Sequence, residues 1–292
     1  MTPADLLRCP TCGGAIEVSA AEAVCEAGHR FPVVDGVVVM VDEQTLAADP
    51  QYAEQRRYFD AEFARYQQYE LENWRVSYLR RLRAARALGD GAVVDAGVGG
   101  SGYTVIEAAR DGSLAVGCDL SLQGLASARR FAAAEGVADR TLWVCCSAER
   151  LPFASASFSS ALAIALIEHV PDDDAALREL ARVVRPGGRV WVTVPHVLRN
   201  ISPVFRIPNR RHDRKLGHLR RYESETLVEA GRRAGLVAED VQFTGHAVKV
   251  MQLAAGRLLG DRFWWWCEAR DLRRSNVRRG SMQLSVVFRR AS

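Results

Sequence analysis

Three cysteines and one histidine near the start of the chain have the types and the spacing of a metal site. Cys9 and Cys12 form a C-x2-C pair, and Cys25 and His29 form a C-x3-H pair after twelve intervening residues. Three thiolates and one imidazole complete a tetrahedral shell, which leaves no open position for a substrate. We therefore expect a structural zinc site in a small N-terminal ribbon at 1–42, with the metal supplying folding free energy.

A second chemically distinctive stretch, AVVDAGVGGSG at 92–102, joins an apolar run to an acid and a glycine cluster. The apolar run is typical of a strand buried on both faces of a parallel sheet. The glycines allow a tight turn and a close approach of backbone to ligand. Tyr103–Arg110 follows with helical spacing, so the turn leads to a helix N-terminus, which favours anionic or polar ligands. Together these features predict a site for a nucleotide-type cofactor.

The stretch fits the dinucleotide fingerprint G-x-G-x-x-G, a weak signal alone. Asp95 favours a cofactor with a cationic, amino-bearing end, because a pyrophosphate would lie badly beside a carboxylate. The stretch resembles motif I of class I S-adenosylmethionine (SAM)-dependent methyltransferases, D-x-G-x-G-x-G. Asp95, Gly97 and Gly99 match that motif, while Ser101 stands at the third glycine position and Gly102 follows it.

Further motifs of that family follow in the same order. Asp119 ends an apolar run about twenty residues past the loop, where a carboxylate suits both hydroxyls of an adenosine ribose. The segment SAERLPF at 147–153 resembles the adenine-proximal motif, and IEHVPD at 167–172 resembles motif IV of the ubiquinone-biosynthesis-like methyltransferases. The resemblance implies cofactor-binding roles for Asp95, Gly97, Gly99, Gly102, Asp119, Leu120, Ser147, Ala148 and Glu149.

Strand and helix patterns alternate from 92 to 194, which predicts a right-handed parallel sheet with ligands at the carboxyl ends of its strands. We expect an α/β fold, a Rossmann-like class I methyltransferase sheet with helices on both faces, over 91–292. Antiparallel strands near 237–243 and 283–288 are expected to close it. The aromatic-rich segment 43–90 is predicted to be a helical lid or linker, in which Tyr66, Tyr69 and Trp74 either line the lid or pack in the core.

Four side chains are candidates for the chemistry at the methyl acceptor. The resemblance places His169, at the end of the fourth strand, near the transferred methyl group, and imidazole titrates near neutral pH. A structural role for His169 stays open. His196, at the end of the fifth strand, is the second candidate, and His218 and Tyr222 follow.

Two later segments stand outside this pattern. Residues 195–222 show no regular pattern and carry eight cations against one acid, Asp213. They are interpreted as a substrate loop in which arginines such as Arg220 and Arg221 grip a carboxylate or phosphate, or as a solvated loop. An insertion at 246–280 holds three adjacent tryptophans, which cannot all face one side of a helix.

Composition bounds the function classes. The 292 residues are 48% hydrophobic and 25% charged, as in an ordinary globular protein. A net charge of +4 is too small to indicate nucleic acid by itself. We expect no membrane span and no signal peptide, and hence a cytoplasmic protein. Seven cysteines in that setting favour thiols and metal ligation over disulfides.

The N-terminal segment resembles the zinc ribbon of rRNA (guanine-N1)-methyltransferases. In HRFPVVDG at 29–36 it also resembles the small zinc-ribbon activator of several tRNA and rRNA methyltransferases. We expect a SAM-dependent methyltransferase with SAM and zinc as cofactors, acting on a small-molecule, glycan or secondary-metabolite acceptor that is anionic if the arginines grip it. An RNA base methyltransferase of the rRNA guanine type and a non-catalytic SAM-binding scaffold are the alternatives.

Overall fold

A computed structural model describes residues 2–41, 50–88 and 91–292, without the side chains of 250 and 253–257. The expected domain boundaries at 42/43 and 90/91 fall on or beside residues outside these ranges. Helices α1 to α8 are Pro50–Phe63, Asn73–Ala84, Tyr103–Arg110, Leu122–Ala134, Asp173–Val183, Pro203–Leu216, Ser224–Arg233 and Ala247–Leu272. Strands β1 to β11 are Ile16–Val18, Glu22–Cys25, Arg30–Val34, Val37–Val39, Val93–Ala96, Ala115–Asp119, Thr141–Cys145, Phe158–Ile164, Val184–Pro195, Leu236–Thr244 and Gln283–Arg290.

In the part of the chain that the structure describes, one sheet has the strand order β1-β2-β3-β4-β7-β6-β5-β8-β9-β11-β10. The neighbours from β7 through β9 pair in parallel, whereas β11 is antiparallel to both β9 and β10. The expected parallel sheet and its antiparallel closing strands are therefore confirmed. Parallel pairing gathers the carboxyl ends of β5 to β8 at one edge, where ligands bind in such sheets.

Helices cover both faces of this sheet. All four residues of β5 are buried, and successive side chains of a strand point to opposite faces. Val93 packs in a cluster with Leu79, Ile106 and Leu125 of α2, α3 and α4. Val94 packs on the other face, in a cluster supplied by α5 and α7. The unbroken apolar run of β5 thus reflects burial from both sides.

The N-terminal ribbon continues the main sheet. Strand β4 pairs in parallel with β7, with Val38 opposite Val144, and Leu7 bridges to Phe153. Leu7 and Ile16 belong to the same core cluster as the strands of the main domain. The ribbon therefore gains stability from this shared core as well as from any metal it binds.

The expectation that 195–222 lacks regular structure was wrong for its middle part, which forms α6. Proline at the first position favours a helix start, and Gly217 ends the helix in the left-handed conformation with a φ of 70°. Pro208 inside the helix and a run of cations conceal its periodicity in the sequence. No residue of α6 is buried, so packing leaves no apolar stripe to detect.

The insertion at 246–280 is built around α8, which contains a non-helical Gly260. Trp264 and Trp265 are half-buried, and the guanidinium of Arg80 lies 4.1 Å from the ring centre of Trp265. Trp266 is exposed, so the three tryptophans face different surroundings. Among the described helices, none has the length and apolar character required to cross a membrane.

Candidate active site

A cavity of about 230 Å³ opens where the carboxyl ends of β5, β6, β7 and β8 meet, beneath α1. Its walls are Tyr52, Gln55, Arg56, Phe59, Phe63, Ala96, Gly97, Cys118, Asp119, Leu120, Ser121, Cys146, Ser147, Ala148, Ile164, Ala165, Leu166, His169 and Val170. Ala165 has a φ of 53°, a conformation that is strained for a residue with a side chain. Such strain, of about 1–3 kcal/mol, is concentrated at ligand sites.

The glycine loop after β5 lies tightly against the end of β8. Gly97 has a φ of 76°, and a Cβ built there would approach Leu166 Cδ1 to 2.8 Å. The next turn is fixed by Asp119, whose Oδ2 accepts a hydrogen bond of 2.9 Å from the amide of Gly99. Only glycine satisfies both the backbone conformation and the close packing at position 97.

Asp119 connects this loop to the start of α4. Its Oδ1 accepts a hydrogen bond of 2.9 Å from the amide of Ser121, the residue that caps α4. Burial raises the pKa of Asp119, although amide donors from Ser121, Gly99 and Leu120 oppose this effect. A carboxylate has about four lone-pair positions, so the side chain can still accept from ligand hydroxyls in the cavity.

Asp95 lies beneath the cavity and does not line it. Its Oδ2 accepts a hydrogen bond from Thr104 Oγ1, whereas Oδ1 is buried and has no hydrogen-bond partner in the described part of the chain. Burial raises the pKa of Asp95 to about 7. An orphaned buried acceptor is costly, so this carboxylate suits a donor-bearing or cationic group nearby.

The segment at 147–153, predicted to lie near adenine, contributes some residues to the cavity wall and others to contacts that support it. Ser147 and Ala148 line the cavity, as does Leu120 on the neighbouring strand end. Glu149 does not line it: its Oε1 accepts a 2.6 Å hydrogen bond from the amide of Asp172, just before α5. Gly99 and Gly102 likewise shape the loop without lining the cavity.

Helix α1 covers the cavity through residues that the sequence analysis did not assign to a lid. Its cavity-facing residues recur at helical spacing: Tyr52, Gln55, Arg56, Phe59 and Phe63. Gln55 Nε2 donates a 2.9 Å hydrogen bond to the carbonyl of His169, which ties the lid to the end of β8. This i, i+3, i+4, i+7 spacing could have shown that the residues share one face of the helix, but not that this face covers the cavity.

The three aromatics expected in the lid lie elsewhere. Tyr66 packs against the glycine loop at Gly100, and the Tyr69 hydroxyl donates to Glu107 Oε1. Trp74 is 42% exposed. None of the three lines the cavity, and Tyr66 and Tyr69 pack against the core cluster, which is the other interpretation given for them.

His169 is the candidate catalytic residue that the structure brings to the cavity wall. Its ring lies edge-on to Phe59, with centroids 5.5 Å apart, and to His218, with centroids 4.7 Å apart. Burial, together with His218 and His212, lowers its pKa to about 3, so the imidazole is neutral at physiological pH. Its Nδ1 is buried and has no hydrogen-bond partner among the residues that the structure describes.

The other candidates do not line the cavity. His196 is fully buried, with Nδ1 2.7 Å from Ser281 Oγ and Nε2 2.9 Å from Asn200 Nδ2. The hydroxyl of Tyr222 donates to Asp173 Oδ2 at 2.6 Å. His218 packs behind His169. These contacts favour positioning roles for His196 and Tyr222.

The arginine pair predicted to grip an acceptor is bound within the protein. Arg221 makes two 2.8 Å hydrogen bonds to Asp213, one to each carboxylate oxygen, and a third to the carbonyl of His196. Arg220 pairs with Asp173. Arg221 therefore joins α6 to the end of β9, and Arg220 joins the same segment to the start of α5.

The cysteine cluster has the geometry expected of a tetrahedral metal site. The Sγ atoms of Cys12 and Cys25 are 3.7 Å apart, and His29 Nδ1 lies 3.6 Å from Cys9 Sγ and 3.2 Å from Cys25 Sγ. Tetrahedral ligands of zinc lie roughly 3.3–3.8 Å from one another, given the usual Zn–S and Zn–N lengths. The donor set and spacing fit a structural zinc ion.

Comparison with known proteins places a methyltransferase domain at the centre of the chain. Residues 94–192 match the family model for a methyltransferase domain. The chain is 38% identical over 100 residues to the methyltransferase GfsG of Streptomyces halstedii, covering 34% of this chain and 36% of that protein. It is 39% identical over 106 residues to a demethylmenaquinone methyltransferase of Corynebacterium kroppenstedtii, covering 36% of this chain and 42% of that protein. The chain thus spans less than half the length of these relatives.

Solved structures show the fold over most of the chain. Geranyl diphosphate C-methyltransferase from Streptomyces coelicolor, in complex with Mg²⁺, geranyl diphosphate and S-adenosyl-L-homocysteine, aligns with a TM-score of 0.58 at 18% identity. That alignment covers 84% of this chain and 99% of the other. The cyclase SpnF aligns with a TM-score of 0.57 at 21% identity, covering 82% of this chain and 96% of the other.

The fold and the matched domain define the class of this protein. The chain has the Rossmann-like class I methyltransferase fold, as the sequence predicted, and residues 94–192 carry a methyltransferase domain within it. The cyclase shows that this fold also supports other chemistry, so the reaction has to be argued from the site.

Proposed function

We propose that the chain transfers a methyl group from SAM to a small-molecule acceptor. The observation that carries this proposal is the cavity at the carboxyl ends of β5 to β8, which joins the glycine loop, Asp119 and His169 within the matched domain. Gly97, Asp119 and Ser147 would hold the cofactor, with the buried carboxylate of Asp95 beneath its cationic end. When bound, SAM supplies an electrophilic methyl group on a sulfonium centre.

The lid favours an acceptor with an apolar portion. Tyr52, Phe59 and Phe63 of α1 face Leu166 and Val170 across the cavity. Such walls suit a compact apolar or aromatic molecule better than a glycan, whose hydroxyls would lack partners there. The similarity to GfsG and to a demethylmenaquinone methyltransferase, each matched over part of its length, supports the small-molecule class.

The protein's part in the reaction is mainly to orient the acceptor and exclude water. The lid closes one side of the cavity, and Gln55 fixes it against the backbone of His169. Holding reactants in line converts a bimolecular step into an effectively unimolecular one. The neutral imidazole of His169 is placed to interact with the acceptor's reacting group.

Cofactor binding provides the first test. Asp119→Asn is expected to weaken SAM binding roughly ten- to a hundredfold, because a charged hydrogen bond contributes about 1.5–3 kcal/mol. Isothermal titration of the full chain with SAM and with S-adenosylhomocysteine measures the change. The matched control is Asp139→Asn, an exposed residue of the short 3-10 helix Ala138–Arg140, which should bind like wild type. Failure of the wild-type chain to bind either molecule would refute the proposed function.

We further propose that Cys9, Cys12, Cys25 and His29 hold one structural zinc ion. The supporting observation is the three-thiolate, one-imidazole cluster described above. Purified protein never exposed to chelator is expected to contain about one zinc per chain, and Cys12→Ser is expected to lose it and to melt at a lower temperature. The control is Cys267→Ser, a buried cysteine in α8 outside the cluster. Less than half an equivalent of zinc in wild type would contradict the assignment.

An RNA or anionic acceptor is the second candidate, favoured by exposed cations on α6. Arg210, Arg211, Arg214 and Lys215 are all exposed. If they contact RNA phosphates, RNA binding should weaken steeply as salt rises, and removing each cation should flatten that slope by about one unit. If these cations instead bind a small anionic acceptor, replacing them should raise the KM for that acceptor, and RNA binding should not depend on them.

A further inference from the structure

Three metal-ligating side chains converge beside the cavity, far along the chain from the cysteine cluster. Glu168 and His169 lie in the turn after β8, and His218 follows the end of α6. One potential ligand atom of each lies within 4.8 Å of the others. The two segments are joined by a 2.9 Å hydrogen bond from the amide of Leu219 to the carbonyl of Glu168.

Two of these side chains are buried without satisfying their polar atoms. Glu168 is 1% exposed and His169 is 7% exposed. Within the described ranges of the chain, Glu168 Oε2 and His169 Nδ1 have no hydrogen-bond partner. Each orphaned atom costs about 1–3 kcal/mol, so the arrangement calls for a group that satisfies both.

The third side chain is already oriented as a metal ligand would be. His218 Nδ1 lies 2.8 Å from Asp213 Oδ1, which leaves Nε2 as its ligating atom. Metal-bound histidines usually donate their other ring nitrogen to a carboxylate in this manner. Arg221 in turn donates two 2.8 Å hydrogen bonds to Asp213. The carboxylate of Asp213 thereby balances the positive charge of Arg221, which would otherwise repel a metal ion nearby.

We propose that Glu168, His169 and His218 bind one divalent transition-metal ion. Two imidazoles and one carboxylate suit Zn²⁺, Co²⁺ or Fe²⁺ better than Mg²⁺ or Ca²⁺, which prefer all-oxygen sites. Three protein ligands leave a coordination position open, as in catalytic rather than structural sites. Because His169 also lines the cavity, the ion would lie beside the part of the cavity in which we propose that the acceptor binds. This inference does not depend on methyl transfer.

Cobalt binding to the full chain distinguishes this site from the cysteine cluster. Equilibrium dialysis of metal-free wild type against Co²⁺ should give about two equivalents, one of which shows thiolate-to-cobalt absorption. Glu168→Gln should lose about one equivalent and keep that absorption, whereas Cys12→Ser should lose the absorption and keep the other equivalent. His212→Asn, an exposed histidine beside His218, is the control and should keep both ions.

A supporting carboxylate provides an independent variant. Asp213→Asn should weaken the second cobalt roughly ten- to a hundredfold while leaving the thiolate absorption unchanged. Thermal melts of each variant establish that it is folded. Wild type that binds only the thiolate-ligated ion would overturn the proposal, whatever the variants do. So would a folded Glu168→Gln that retains both equivalents.

Discussion

Replacing His169 by asparagine is expected to lower the turnover number by about two orders of magnitude, because the imidazole orients the acceptor's reacting group and a displacement of about 1 Å can cost a hundredfold. Asparagine keeps a polar side chain, but its amide does not reproduce the imidazole ring at the cavity wall. The affinity for SAM should stay close to that of wild type, because the cofactor's contacts centre on Asp119 and the glycine loop. The measurement is transfer of a labelled methyl group to an acceptor found by screening, with the cofactor's Kd measured in parallel.

The control for this variant is again His212→Asn on α6, which leaves the cavity unchanged. Because burial holds the pKa of His169 near 3, its imidazole stays neutral from pH 5 to 8. The pH profile of kcat in wild type should therefore show no step from this group in that range. Wild-type turnover in His169→Asn would contradict a role for this side chain at the acceptor and assign it a structural role.

The centre of the fold could be predicted because its signals are local. The apolar run of β5, the glycines after it and the helical spacing of Tyr103–Arg110 are read from eighteen or so adjacent residues, and the structure has them where expected. Asp119, which lines the cavity, could be predicted from a similarly local signal, an acid that ends the next apolar run about twenty residues past the loop.

The lid and the proposed second metal site depended on tertiary contacts. Whether α1 faces the cavity through Phe59 and Phe63, rather than through Tyr66 further on, depends on where the helix docks. His218 lies about fifty residues from Glu168, and only the path of α6 brings them together. No local pattern around His218 predicts this proximity to Glu168, because α6 has no buried residue that would show which side of the helix faces the protein.

The ribbon shows the same limit in another form. Its cysteine and histidine spacing was sufficient to predict a cluster, and the four side chains do converge. The spacing could not indicate that β4 would extend the main sheet beside β7. Edge pairing depends on exposed backbone groups, which every strand carries regardless of its side chains.

The glycine loop also affects the stability of the fold, independently of cofactor binding. Gly102 starts α3 with a φ of 59°, and a Cβ there would lie 2.6 Å from Trp143 and 2.8 Å from the Cβ of Ala128. Trp143 is only 2% exposed, and it also lies 2.6 Å from a Cβ built on Gly117. The indole thus fills the space between the loop and the sheet, and the loop's last glycine makes room for it.

Gly102→Ala is accordingly expected to destabilise the protein by roughly 2–5 kcal/mol, the sum of about 1–2 for a left-handed residue with a side chain and about 1–3 for overpacking. The matched control is Gly136→Ala, which has a φ of 72° but no atom within 4 Å of the added Cβ. It should incur only the backbone cost of about 1–2 kcal/mol. Calorimetric melting temperatures of the two variants separate the backbone cost from the packing cost. The difference between the two melting temperatures reports packing against Trp143. Equal shifts would show that the indole moves aside and that backbone conformation alone requires glycine at 102.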